Sequence, residues 1–171
     1  MKKISLNVKP FQETLHADMC RPASLKIVLN YYKINKTEKE LAELTKVTQG
    51  LGVDDKKIAA IARSLHFKVT IKNKSTFADI EKWLSKGVPV IVDWFTRGRQ
   101  DYSDSEVPDG HYSVVMGLNN KYIYLQDPEI GKQRKMTRED FMKVWFDFTG
   151  RSIKPDELII RQVIAIHPKI K

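Results

Sequence analysis

An α+β fold is what this sequence predicts, with helices gathered early and a mainly antiparallel sheet completed late. Three observations carry that reading. Apolar residues recur at helical spacing after Cys20, after Thr37 and after Asp54. From Val88 onward most apolar segments are short and strand-like, as in Val88–Trp94 and Tyr122–Leu125. Between His111 and Asp127 the stretch Gly117-Leu-Asn119-Asn120 supplies turn chemistry, so its flanks form a β-hairpin. A chain of 171 residues, 42% apolar, fits one core, so a single domain over residues 1–171 is expected.

The elements follow in order. Met1 to Lys9 carries basic residues but lacks the apolar run of a signal peptide, and reads as an opening strand. A helix starts at Cys20, with Ala23, Ile27, Val28 and Tyr31 on its apolar face and Pro22 in its first turn, where the missing N–H costs nothing. Thr37-Glu-Lys-Glu40 is a capping box ahead of a helix running to about Lys46. Gly50-Leu-Gly52 breaks it. Asp54 caps the next helix, whose apolar face is Ile58, Ile61, Ala62 and Leu65. His66 to Ile71 alternates as a strand, and Thr76 to Ser85 is a helix closed by Gly87. Val88 to Trp94 is an apolar strand with Pro89 near its start. The polar stretch Thr96–Asp109 has no apolar period and is read as a lid or a surface loop. After the hairpin, Thr137-Arg-Glu-Asp140 caps a last helix carrying Phe141, Val144 and Trp145, and Leu158–Ile166 closes as a strand.

Composition narrows the function classes. The net charge is +9, but the lysines are dispersed among acids and no nucleic-acid motif or Gly-rich phosphate loop accompanies them, which speaks against a nucleic-acid partner. No apolar run approaches a membrane span. The four histidines, His16, His66, His111 and His167, lack metal-ligand spacing, so neither a metal nor a cofactor is expected. One cysteine forms no internal disulfide, and a reducing cytoplasm suits it. Oligomeric state is left open.

That cysteine, Cys20, opens a helix. A sulfur there meets free N–H groups and the positive end of the helix dipole, the setting of a nucleophilic thiolate. The competing reading is a small buried hydrophobe, the commoner fate of a free cysteine. Folding the hairpin back brings Asp127 near His111, and a carboxylate beside an imidazole fixes its tautomer and stabilises the imidazolium. Cysteine, histidine and an orienting acid are the parts of an activated thiol.

Gln12, then Cys20-Arg-Pro-Ala-Ser-Leu running to Asn30-Tyr-Tyr, followed by Gly110-His-Tyr-x-Val-Val-x-Gly and Tyr122-Ile-Tyr-x-x-Asp-Pro, resembles the bacteriocin-processing C39 and C39-like cysteine peptidases, which are papain-like. The segment Leu84–Asp93 is similar to that family's helix–turn–strand before the histidine. The resemblance implies a papain-like fold, with Cys20 as nucleophile, His111 as general base and acid, Asp127 as orienter and the Gln12 amide in the oxyanion hole. It implies a thiol hydrolase acting on a peptide or isopeptide amide through a thioester, with a peptide or protein as partner. Arg21 stands where the family usually has glycine, and Gln12 lies eight residues before Cys20, a spacing closer to the standalone C39-like group. His16 and Asp18 are further cleft candidates. Two other classes share these residues: a catalytically inactive peptide-binding module of the same fold, for which Arg21 argues, and a thioester-forming acyltransferase.

Overall fold

The computed structural model describes residues 3–14, 19–46, 55–95, 110–148 and 154–168. The Gly50–Gly52 break, the Asp54 cap, His16, Asp18 and the Thr96–Asp109 stretch lie outside these residues. Helix α1 (Cys20–Tyr31) buries Ala23, Leu25, Ile27, Val28 and Leu29. Helix α2 (Glu38–Thr45) starts on the reciprocal Thr37–Glu40 capping box. Helix α3 (Asp55–Ser64) buries Ile58, Ala59, Ile61 and Ala62. Thr76 and Asp79 form a second capping box before α4 (Phe77–Leu84), and the Thr37 pattern recurs in part where the Thr137 hydroxyl accepts from the Asp140 N–H at the head of α5 (Arg138–Val144).

The strands are β1 (Ile4–Ser5), β2 (Lys68–Lys72), β3 (Val90–Phe95), β4 (Gly110–Leu118), β5 (Tyr122–Asp127), β6 (Lys132–Thr137), β7 (Phe146–Phe148), β8 (Leu158–Ile160) and β9 (Val163–His167). The main sheet runs β2-β9-β3-β4-β5-β6 with β1 paired to β4, and every pairing is antiparallel. β7 and β8 make a separate ribbon. This is the α+β arrangement of a papain-like fold, with N-terminal helices packed on a mainly antiparallel sheet.

Three expectations are corrected in detail. His66 has φ 67°, a left-handed turn after α3, so the strand begins only at Lys68. The segment Leu158–Ile166 is broken at Arg161, φ 51°, which hands the chain from the ribbon to the main sheet. Strand β6 was not expected. Its sequence, Lys-Gln-Arg-Lys-Met-Thr, carries little apolar alternation because it is an edge strand with Lys132, Gln133 and Lys135 exposed.

Side-chain alternation divides the core in two. Ile91, Tyr112, Val114 and Ile164 face α1 and α3, while Val90, Val92, Trp94, Val115 and Leu125 face α4 and α5. The polar residues of the site sit where these two faces run out at the head of β4.

Candidate functional site

Each expected residue is found on a defined element. Cys20 is the first residue of α1, half-buried, and packs against the core cluster on the α1 side. His111 is the second residue of β4 and Asp127 the last of β5. The hairpin joins them directly: His111 Nε2 lies 2.7 Å from Asp127 Oδ1, with both side chains buried. The other Asp127 oxygen accepts from Arg134 Nε at 2.6 Å, and its Oδ1 also accepts from the Glu129 N–H at 3.1 Å. Trp94 packs edge-on against the imidazole, with ring centroids 5.4 Å apart, and donates its indole N–H to the Ser113 hydroxyl at 3.1 Å. Arg134 has no sequence signal of its own, because it acts from a strand whose pattern is polar.

Electrostatics follow from these partners. Burial alone would push the His111 pKa down. The Asp127 carboxylate overrides it and holds the imidazole well above its ordinary range, with a lesser push from hydrogen bonding and charge at the Cys20 side chain. Burial would raise Asp127, but His111 and Arg134 keep it ionised below the usual carboxylate range. The imidazole is thereby kept as a cation, a hydrogen-bond donor with its charge balanced from within the sheet.

The segment leading to Cys20 lies across this group. Glu13 donates its backbone N–H to the Pro128 carbonyl at 2.9 Å, and Thr14 binds the Glu38 carboxylate through its N–H and its hydroxyl. Gln12 is exposed, and its amide donates to the Glu129 carbonyl at 3.2 Å, with its side chain against Gly131. A Cβ at Gly131 would come within 2.6 Å of the Gln12 Cβ, and its φ of 60° favours glycine. Burial raises Glu13 to about 7, and one buried oxygen each of Glu13 and Glu129 has no hydrogen-bond donor among the described residues. Neither acid was singled out in the sequence, although Glu129 follows the Asp127-Pro128 turn directly.

The compact Cys-His-Asp triad is corrected by this geometry. Among the described residues, the imidazole and carboxylate groups that converge to within 4.8 Å of one another are those of His111, Asp127 and Glu129, and the thiol of Cys20 is not one of them. Along β4, Tyr112 and Val114 face α1, whereas His111 shares its parity with Ser113 and Val115, and Asp127 holds its imidazole against Trp94. The cysteine-peptidase reading, with its thiol-protease chemistry and catalytic triad, is therefore not carried further. The same converging atoms are close enough to share an ion, but Nε2 and Oδ1 are bonded to each other and Arg134 takes the remaining Asp127 oxygen, which makes the group an ion-paired lock.

Arg21 completes the picture beside Cys20. It does not project into open space. Its guanidinium lies 4.3 Å over the Tyr112 ring and 3.6 Å from Asp147 of β7, so the side chain fills the volume between α1 and the sheet. Tyr112 in turn donates its hydroxyl to Asp55 at 2.7 Å. Among the described residues, no helix is long and apolar enough to cross a membrane.

Comparison with known proteins agrees with this architecture. The uncharacterized protein YvpB of Bacillus subtilis (strain 168) is 26% identical, over 89% of this chain and 78% of its own length. The peptidase domain of Streptococcus ComA, a bi-functional ABC transporter involved in quorum sensing, superimposes with a TM-score of 0.70 at 22% identity, covering 95% of this chain and all of that one. A double glycine motif protease from an AMS/PCAT transporter, solved in complex with the leader peptide, gives a TM-score of 0.66 at 18% identity over 96% of this chain and 98% of its own. These likenesses show the shared fold. The family model of the Peptidase_C39 like family matches residues 5–153, from the first strand to beyond β7. With sequence and fold in agreement over that span, the chain belongs to the Peptidase_C39 like family.

Proposed function

We propose that this chain is a peptide-binding module built on the C39-like fold, one that holds a peptide without cleaving it. The observation that carries the reading is the arrangement at the head of β4. His111 is held by Asp127, with Arg134 and Glu129 beside it, in a converging group to which the Cys20 sulfur does not belong, and Arg21, next to Cys20, is drawn inward to Asp147 and Tyr112. The acids Glu13 and Glu129 offer buried acceptors for the N–H groups of a peptide beside the imidazolium. A related protein of this fold was solved with a leader peptide bound, which supports a peptide as the ligand class.

The test uses a fluorescein-labelled peptide ending in Gly-Gly, followed by anisotropy for binding and by mass spectrometry for integrity. Saturable binding of an intact peptide, with Cys20→Ala binding as tightly as the parent chain, is the expected result. Appearance of cleavage products that vanish in Cys20→Ala would sink the proposal.

A further inference from the structure

Between α4 and α5 the surface opens into a cleft of about 530 Å³, lined by Phe77, Arg138, Glu139, Met142 and Lys143. None of these residues belongs to the group at the head of β4. The size falls within the roughly 300–1,000 Å³ that small-molecule sites occupy. Its place follows from where two helices begin. Phe77 is the first residue of α4 and Arg138 the first of α5, and the Arg138 backbone N–H donates to the Lys121 carbonyl at 2.9 Å.

The floor is apolar and rests on packed rings. The Phe77 centroid lies 6.3 Å from that of Phe141 and 5.7 Å from that of Trp145, and those two are 5.1 Å apart. Phe141 and Trp145 are fully buried, so Phe77 sits on a close-packed base. Met142 of α5 is 40% exposed, a large apolar side chain that the fold leaves unburied at the edge of a cleft. Its unbranched thioether adapts to whatever lies against it.

The charged groups of the rim are not equivalent. Lys143 bonds to Glu139 at 2.9 Å and lies 3.8 Å from Asp140, so its charge is answered within α5. Arg138 differs. Its half-buried guanidinium lies 4.1 Å over the Phe77 ring, and among the described residues no carboxylate pairs with it. Stacking engages the flat face of a guanidinium, while its N–H donors lie in the plane and form the fork that suits a carboxylate. An apolar floor beside one unanswered cation is complementary to a ligand with an apolar body and one negative charge.

We propose that this cleft binds a small amphiphilic anion, with its chain or rings on Phe77 and Met142 and its single anionic group on the Arg138 guanidinium. Glu139 on the same rim opposes a second negative charge, which limits the head group to one.

The experiment titrates the full chain with anilinonaphthalene sulfonate, an aromatic body with one sulfonate, and follows its fluorescence. Phenylnaphthylamine, the same rings without the sulfonate, is the neutral control. The parent should bind the sulfonate probe saturably and hold it about tenfold more tightly than the neutral one, the gain expected of a charge-assisted pair. Arg138→Gln should erase that difference and Arg138→Lys should keep part of it. Met142→Gln should weaken both probes by about threefold through lost apolar contact. Decanoate should displace the sulfonate probe from the parent. Equal affinity of the parent for the two probes, or a preference that survives Arg138→Gln, would overturn the anion recognition. Binding unmoved by both Arg138→Gln and Met142→Gln would overturn the site, and failure of decanoate to compete would overturn the ligand class. Melting curves establish that each variant is folded. Should Arg138→Gln not fold, Met142→Gln, at an exposed position, decides the site, and the two probes on the parent decide the charge.

Discussion

The two buried polar clusters at the head of β4 lie on opposite faces of the same sheet and solve opposite problems of charge. Around Asp127, one carboxylate is gripped by two cations, His111 at 2.7 Å and Arg134 at 2.6 Å, and it stays ionised despite burial. Around Asp93 of β3, burial and the neighbouring Asp147 push the acid upward, and Arg21 offsets that push without reversing it. Depth is the same in both: Asp127 and Asp93 are each 1% exposed. Burial alone does not set the protonation state of an acid: its charged neighbours do, and neighbouring strands of one sheet supply different ones.

The sharpest way to break this comparison is to remove a cation from the first cluster. Arg134→Met leaves Asp127 with His111 alone and should cost roughly 3–5 kcal/mol in urea denaturation at neutral pH, the scale of breaking a buried pair. Because the folded pKa of Asp127 lies below its ordinary 3.8, that contribution is present above about pH 4 and fades as pH falls through the folded value. The loss should therefore shrink in acid. A cost under about 1 kcal/mol would mean that Arg134 is not what keeps Asp127 charged.

Crowding the second cluster is the next test. Gly110→Ala drives a methyl group into the Asp147 carboxyl and should cost about 1–3 kcal/mol, as overpacking does. If Asp147 is the cause, adding Gly110→Ala to Asp147→Ala should cost little beyond Asp147→Ala alone. An undiminished second cost in that double-variant cycle would place the clash elsewhere.

Glu13 sharpens the comparison with a case in between, an acid near one cation and several carboxylates. Burial raises it to about 7 from 4.5 in the ordinary state. The raised value makes the folded chain bind the extra proton, so Glu13 lowers stability from about pH 4.5 up to 7 and no further. Glu13→Gln should match the parent near pH 4 and exceed it by roughly 1–2 kcal/mol at pH 8, a figure reduced for its partial exposure. A gap independent of pH would show that the amide acts by shape alone. The smallest effect sets the scale for an exposed contact: Thr37→Ala, which removes the hydroxyl cap of α2, should cost about 1 kcal/mol with no slope above about pH 5.

Much of the fold was legible because local chemistry and tertiary demand agree. The Thr37–Glu40 capping box and the α1 apolar face act over a few positions and appear where the pattern puts them, while the β4–β5 turn falls at Asn119–Lys121, with Gly117 and Leu118 still in the strand. The hairpin also returned Asp127 to His111 from spacing alone. What was hidden depends on contacts made far along the chain. Arg134 reaches Asp127 from a strand whose sequence reads as polar linker. Asp93 looks like the polar end of an apolar strand until β7, more than fifty residues later, brings Asp147 against it. The inward turn of Arg21 onto Tyr112 was equally hidden, since position in a motif does not say which way a long side chain goes. Motif spacing placed Cys20, His111 and Asp127 on their elements, while the acid that converges on His111 and Asp127 is Glu129, which the motif does not contain.

Strand order carries a consequence for how this protein is made. β9 is the last strand of the main sheet in the chain, yet it lies between β2 and β3 and pairs with both. Until Val163–His167 leaves the ribosome, β2 has no sheet to join and one side of β3 presents bare backbone donors and acceptors. The segments on either side of that gap, Lys68–Lys72 and Val90–Phe95, must wait about ninety and about seventy residues of synthesis for their common neighbour. Closure of the sheet is thus a late, non-local event that synthesis alone cannot begin early, and the nascent chain spends that interval with an apolar strand edge open to chaperones or to other chains.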